Sequence, residues 1–155
     1  MEWQVIKNPR NPLCGKSYEE VKNFVINGAA ILRYVVNQTE ELCKLAVEKD
    51  GLALKFVHNQ TEELCKLAVQ HDGNVLQFVD NKTEEICKLA VKRYGCALVY
   101  VDLQTEEICK LAVQQDGYAL QYVHNQTEEI CKLAVQQDRL AIVYVDDRFI
   151  DLFIK

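Results

Sequence analysis

The sequence predicts an all-α protein, a right-handed solenoid of helix-turn-helix units with a 22-residue period. Three observations carry this prediction: a nine-residue string that recurs at a fixed interval, a scarcity of glycine and proline, and apolar patterning typical of helices packed between neighbours. The chain has 155 residues, 49% of them hydrophobic, with only 6 glycines and 2 prolines. It is therefore long enough for one folded domain with a sizeable core.

The repeat is visible when the sequence is compared with itself. The string TEELCKLAV, or its variant with isoleucine in the fourth place, starts at five points that are 22 residues apart: Thr39, Thr61, Thr83, Thr105 and Thr127. One step back, a diverged copy starts at Ser17, and one step forward, the half-unit FIDLFIK starts at Phe149. Diverged terminal copies are expected because an end repeat contacts a neighbour on one side only.

This pattern sets the predicted organisation of the chain. We predict an N-terminal extension or cap over residues 1–16 and a C-terminal capping half-unit over residues 149–155. Between them, residues 17–148 form six units that start near residues 17, 39, 61, 83, 105 and 127.

Each unit is predicted to contain two helices. Thr39 is a good N-cap, and the two glutamates after it complement the dipole of the first helix. Asp50-Gly51 predicts the end of that helix, with the glycine in the left-handed cap conformation, and a second helix follows from Leu52 to Val57. The asparagine of the connecting turn also suits a left-handed residue. In the first helix of the next unit, we expect Leu67 to be buried. A two-turn helix is unstable alone, so stacking on neighbours must stabilise it.

Five of the seven cysteines occupy one column of the repeat: Cys43, Cys65, Cys87, Cys109 and Cys131. Equivalent positions in neighbouring units lie about 8–10 Å apart, which is too far for a disulfide or a shared zinc ion. We interpret them as small buried hydrophobic residues and expect no metal. So many free thiols favour a reducing compartment, the cytoplasm.

Four asparagines stand in N-x-T glycosylation motifs, Asn37, Asn59, Asn81 and Asn125, but the threonines read as helix caps. The N-terminus has neither the basic nor the apolar segment of a secretory signal, so we expect the protein not to be secreted. Lys44 and Glu40 are four residues apart, a spacing typical of a solvated, self-neutralising helix face.

Charge and motifs argue against several classes of function. The net charge of −5 and a pI near 5.2 disfavour binding to nucleic acid, and no apolar run is long enough to cross a membrane. No glycine-rich phosphate loop or paired nucleophile and base is evident. His58 and His124 share a column three units apart, too distant for one metal ion. We therefore expect no enzyme activity and no cofactor.

The TEE-[LI]-CKLAV helix, the Asp-Gly break and the Ala-Leu-x-[Phe/Tyr]-Val helix followed by Asn-Gln resemble a family of short tandem α-helical repeats. That family is described only as a domain of unknown function, and its members are frequent in giant DNA viruses and amoeba-associated bacteria. The resemblance covers Ser17 to Val145. It implies an α-solenoid and a viral protein in the host cytoplasm or the virion, and it implies no activity.

Variation between the units is the one functional signal. The core columns barely change, whereas columns on or beside the second helix do. These positions are either neutral or line a groove for a protein partner; the candidate binding residues are Leu52, Lys55, Asn74, Gln77, Tyr94, Tyr118, Gln121 and Leu140.

The C-terminus carries an apolar cluster: Phe149, Ile150, Leu152, Phe153 and Ile154. The cluster either mediates an end-to-end homodimer or covers the last unit. We thus predict a non-catalytic scaffold for protein–protein interaction, with a self-assembling structural protein that has no separate ligand as the alternative.

Overall fold

The computed structural model describes residues 4–5, as backbone, and residues 10–154. Within these residues the α-helices begin 22 residues apart, and each is followed by a short 3-10 helix. The α-helices are α1 Tyr18–Asn27, α2 Glu40–Lys49, α3 Glu62–His71, α4 Glu84–Arg93, α5 Glu106–Gln115 and α6 Glu128–Gln137. The 3-10 helices are η1 Ala29–Tyr34, η2 Gly51–Phe56, η3 Gly73–Phe78, η4 Gly95–Tyr100, η5 Gly117–Tyr122, η6 Arg139–Tyr144 and η7 Asp147–Leu152.

The units stack in sequence order. From α1 to α6 each α-helix packs against the next, and each 3-10 helix from η1 to η6 packs against the following one. The predicted all-α repeat solenoid is therefore confirmed, whereas its right-handed sense stays a prediction. The structure adds an antiparallel strand pair that the sequence did not predict, formed by β1 Gln4–Val5 and β2 Val35–Asn37.

The threonine caps are confirmed. Thr39 Oγ1 accepts a hydrogen bond from the backbone N–H of Leu42 at 3.3 Å, and the threonines that precede α3 to α6 make the equivalent bond. These bonds satisfy one of the free donors at each helix start. Ser17 caps α1 in the same way, and the Glu20 carboxylate accepts a hydrogen bond from the backbone N–H of Ser17.

The second helix of each unit differs from the prediction. Leu52–Val57 was expected to be α-helical, but η2 is a 3-10 helix that starts at Gly51 and ends at Phe56. A segment of six residues closes more internal hydrogen bonds with i→i+3 than with i→i+4 pairing. Asp50 fixes its start, because its Oδ1 accepts the Leu52 N–H at 2.9 Å.

The predicted left-handed caps are wrong. Asp50 ends α2 in an extended conformation with φ −151°, and among the described residues only Gly15 has a positive φ. The glycine after the aspartate is needed for space instead. A Cβ on Gly51 would lie 2.9 Å from the carbonyl oxygen of Ala68 in the next unit.

The same close approach recurs along the glycine column from η2 to η5, whereas η1 has Ala29 in this place. A Cβ on Gly73, Gly95 or Gly117 would lie 2.5–2.6 Å from a backbone oxygen of the next α-helix. The last unit has Arg139 in this place, exposed beyond α6. In the described part of the chain no further α-helix packs there, so the arginine meets no such restriction.

The core runs along the inside of the stack. In the second unit Leu42, Ala46 and Val47 from α2 and Ala53 and Leu54 from η2 are buried, and the equivalent residues of the other units form one continuous cluster with them. The burial expected for Leu67 is wrong, because this residue is only half-buried. It lies at the edge of a cleft of about 250 Å³ between α2 and α3.

The charged face of the α-helices connects the units. Lys88 Nζ contacts Glu84 of its own helix at 2.9 Å and Glu107 of the next unit at 2.6 Å, and Lys66 and Lys110 repeat this arrangement. Lys44 is an exception to the predicted pairing, because it forms no ion pair with any residue the structure describes.

Candidate protein-interaction surface

The variable columns meet on one side of the 3-10 helices. Such a helix has three residues per turn, so its second and fifth residues lie above one another. In η2 these are Leu52 and Lys55, three positions apart in the repeat. We call the whole set the outer stripe: Leu52, Lys55, Asn74, Gln77, Cys96, Val99, Tyr118, Gln121, Leu140 and Val143.

Most of the outer stripe is open to solvent. The fifth residue of η2 to η6 is exposed in every unit, including Val99 at 50% and Val143 at 71%. The second residue is exposed in η2 and η6, where Leu140 reaches 62%, and is half-buried in η3, η4 and η5. Apolar side chains therefore accumulate on the stripe toward the C-terminal units.

Half-buried aromatic residues end the 3-10 helices η1 to η6 beside the stripe: Tyr34, Phe56, Phe78, Tyr100, Tyr122 and Tyr144. Cations lie over this row at its N-terminal end. The Arg33 guanidinium is 4.4 Å from the Phe56 ring centroid, and Lys55 Nζ lies between the Phe56 and Phe78 rings, at 5.0 and 5.8 Å. Rings and cations attract at such distances, which helps to order both long side chains.

Tyr118 and Tyr94 occupy different environments from those expected of free anchors. Tyr118 is half-buried, and its ring meets Tyr144 edge-on with centroids 5.9 Å apart. It therefore contributes to packing between η5 and η6. Tyr94 lies outside the stripe, at the N-cap of η4, where four other units place an aspartate that caps the helix.

Sequence reasoning missed a set of glutamines that connect the units. Gln60 lies in the turn before α3; its Nε2 donates to the carbonyl of Phe78 at 2.8 Å, and its Oε1 accepts from the backbone N–H of Asp80 at 3.0 Å. The thiol of Cys65 donates to the same Oε1 at 3.5 Å. Gln38, Gln104 and Gln126 make the equivalent bonds. We call these four residues the glutamine clasps.

One unit lacks its clasp. Lys82 replaces the glutamine, and its Nζ contacts Asp102 at 3.3 Å. A cleft of about 420 Å³ opens at this place between the turns before α4 and α5, and Leu103 on its border is 87% exposed. The constant glutamine before each threonine was the sequence signal for the clasps, and Lys82 was its exception.

The cysteine column is buried. Burial raises the pKa of the Cys43 and Cys65 thiols to about 11, and it also raises the pKa of Cys87, Cys109 and Cys131. Thiols of this kind react slowly, because the thiolate is the nucleophile. Within residues 10–154 no three His, Cys, Asp or Glu side chains are grouped so that they could hold a metal ion.

The C-terminal cluster divides into two parts. The cluster begins on η7, a 3-10 helix, and continues past its end at Leu152; Phe149, Ile150 and Phe153 pack against the core. Leu152 and Ile154 remain exposed, at 42% and 64%. Three of the five side chains therefore cover the last unit, and two face solvent. No helix in the described part of the chain has the length and apolar character needed to span a bilayer.

The uninterrupted stacking of short helical units makes this an all-α repeat protein of the solenoid class. Comparison with protein families gives four tandem matches to a domain of unknown function (DUF4116), at residues 39–82, 61–105, 83–127 and 105–150. Each match spans two units, and their starts are 22 residues apart. The matches cover most of the chain, which therefore belongs to this family. No curated protein and no solved structure matches it.

Proposed function

We propose that this chain is a non-catalytic repeat scaffold that binds another protein along the outer stripe. The observation that carries the proposal is the contrast between the two sides of each 3-10 helix. Ala and Leu on the inner side, such as Ala97 and Leu98, recur almost unchanged and are buried. The stripe, on the opposite side, changes from unit to unit, and its fifth-residue positions are exposed in every unit from η2 to η6.

The exposed apolar residues of the stripe support this role. Single exposed hydrophobic residues are common, but Val99, Leu140 and Val143 belong to one aligned stripe. Solenoids present extended surfaces of this kind to macromolecular partners. The lack of catalysis and of a cofactor stays a prediction, supported by the raised pKa values of the buried thiols. The cytoplasmic location and viral origin likewise stay predictions.

The test compares partner capture by matched variants. A Val99→Glu, Val143→Glu protein changes the stripe, and Leu103→Glu places the same charge on an exposed leucine outside it. We expect wild type and Leu103→Glu to retain one dominant protein from a lysate of the native host and the stripe variant to lose it. Equal melting temperatures would show that all three are folded. Equal recovery by the stripe variant would contradict the proposal.

Self-association is the second candidate, and the exposed Leu152 and Ile154 favour it. Continued stacking of copies is disfavoured, because the place that holds glycine in η2 to η5 and alanine in η1 holds the much larger Arg139 in η6. A symmetric dimer through the C-terminal end does not need that contact. Light scattering of the wild type and of Leu152→Glu, Ile154→Glu tests it. A wild type that stays monomeric at high micromolar concentration excludes the dimer.

A further inference from the structure

The 3-10 helices and the α-helices differ in the charged residues that they contain. The 3-10 helices η1 to η6 contain no aspartate or glutamate, and they contain three cations, Arg33, Lys55 and Arg139. Each α-helix, in contrast, has two glutamates in its first turn. In a chain of net charge −5, the charged side chains within η1 to η6 are therefore all cations, and the aspartates that cap η2, η3, η5 and η6 stand just before these helices.

Two of these cations are held in place without a carboxylate partner. Arg33 and Lys55 lie against the rings of Phe56 and Phe78, and neither forms an ion pair with a described residue. A cation that is ordered by a ring but has no counter-charge is suited to a carboxylate from another molecule. Lys55 belongs to the outer stripe, and Arg33 holds the equivalent place in η1, one unit before it.

The rest of the stripe has a different chemistry. Val99, Leu140 and Val143 offer apolar contacts in the C-terminal units. Gln77 and Gln121 lie in the units on either side of Val99, and their Nε2 atoms donate to backbone carbonyls of their own 3-10 helices, each at 3.0 Å. Their Oε1 atoms have no partner in the part of the chain that is described, so they are available to backbone N–H groups of a bound chain.

Building on the proposed function, we propose that the outer stripe binds an extended acidic–apolar peptide segment of a partner protein. Carboxylates of the segment lie over Arg33 and Lys55, and apolar side chains lie against Val99, Leu140 and Val143. Packed units are about 9 Å apart, and an extended chain rises about 3.3 Å per residue, so each unit takes about three residues. The four steps from Lys55 to Val143 correspond to about 12 residues, and the further step to Arg33 extends the segment to about 15 residues.

The experiment selects ligands without assuming a sequence. A random 15-residue peptide library is displayed on phage and selected against the full chain and, separately, against Lys55→Glu. We expect the wild type to enrich peptides with Asp or Glu toward one end and apolar residues toward the other. Lys55→Glu should enrich Lys or Arg at the same end.

Affinities then locate the site. A fluorescent copy of the best wild-type peptide should lose about tenfold or more in affinity with Lys55→Glu and with Val143→Glu. The matched controls are Lys92→Glu on α4 and Leu103→Glu, which make the same changes at exposed positions outside the stripe and should leave affinity unchanged. Affinity should also fall with rising salt.

The outcomes separate this inference from the proposed function. Peptides that bind equally well to wild type and Lys55→Glu but fail on Val143→Glu would overturn the acidic segment and retain the stripe. A library that yields no peptide, while the stripe variant still loses a captured protein, would overturn the linear segment only. Binding that no stripe variant changes would overturn both.

Discussion

Replacing Gly95 with alanine puts a methyl group where the backbone of the next unit already lies. The new Cβ would be 2.5 Å from the carbonyl oxygen of Ala112 and 2.8 Å from the Cβ of Asp116. Ordinary contact begins near 3.4 Å, so η4 and α5 must separate by roughly 0.9 Å. Overpacking of this kind costs about 1–3 kcal/mol, and we expect the upper end because the opposing atom is backbone and cannot rotate away.

The assay is thermal unfolding followed by circular dichroism. For a chain of this length about 3 kcal/mol lowers the melting temperature by roughly 6–12 °C. Gly51→Ala, where the closest contact is 2.9 Å, should cost less. Gly28→Ala is the matched control, because its φ of −166° suits any residue and the nearest atom is 4.0 Å away. It should be neutral or raise stability by about 0.4–1 kcal/mol. If Gly95→Ala were as harmless as Gly28→Ala, the close stacking of units would be refuted.

Five further predictions concern the contacts between units and the cysteines. Gln60→Ala should lower the free energy of unfolding in urea by about 1–3 kcal/mol, because it leaves backbone groups of the next turn unpaired. Lys82→Gln should instead raise it by restoring a clasp. In native protein at pH 8, Cys14 should react with a thiol reagent far faster than the buried thiols. Burial raises the pKa of Cys65 from about 9 to about 11, so the unfolded chain loses this proton at a lower pH than the folded one. The stabilisation from the buried neutral thiol is therefore complete below pH 9, and the free energy of unfolding should fall between pH 9 and 11. Lys88→Ala should cost less than Gln60→Ala, and its effect should shrink in high salt, since its ion pairs are exposed.

The period, the helix starts and the core could be predicted because each follows from local rules repeated five times. A threonine followed by two glutamates specifies an N-cap wherever it occurs, and the structure places the bond from Leu42 to Thr39 as expected. The glycine column was assigned to the right place for the wrong reason. The sequence shows that position 51 is a glycine. Only the position of Ala68 in the structure shows that the absence of a Cβ at Gly51 leaves room for the backbone of the next unit.

The glutamine clasps lay outside such reasoning because their partners are 18 to 20 residues away in sequence. A side chain in a turn gives no local sign of the carbonyl it will meet in the next unit. The 3-10 form of the second helix was not predictable either, because residue propensities do not distinguish a 3-10 helix from an α-helix over six residues. For the candidate surface, the sequence singled out the variable columns, and only the three-residue turn of η2 aligned Leu52 with Lys55.

The missing clasp at Lys82 has a consequence for how the array comes apart. In a linear array, each unit is held mainly by its two neighbours, so cooperativity passes through one interface after another. The junction between the turns before α4 and α5 lacks the hydrogen bonds to the backbone that a glutamine clasp makes. One exposed ion pair and a cleft of about 420 Å³ are found there instead. Unfolding should divide there, with residues on either side forming separate foldons whose amide protons exchange at different rates. Lys82→Gln would merge them into one.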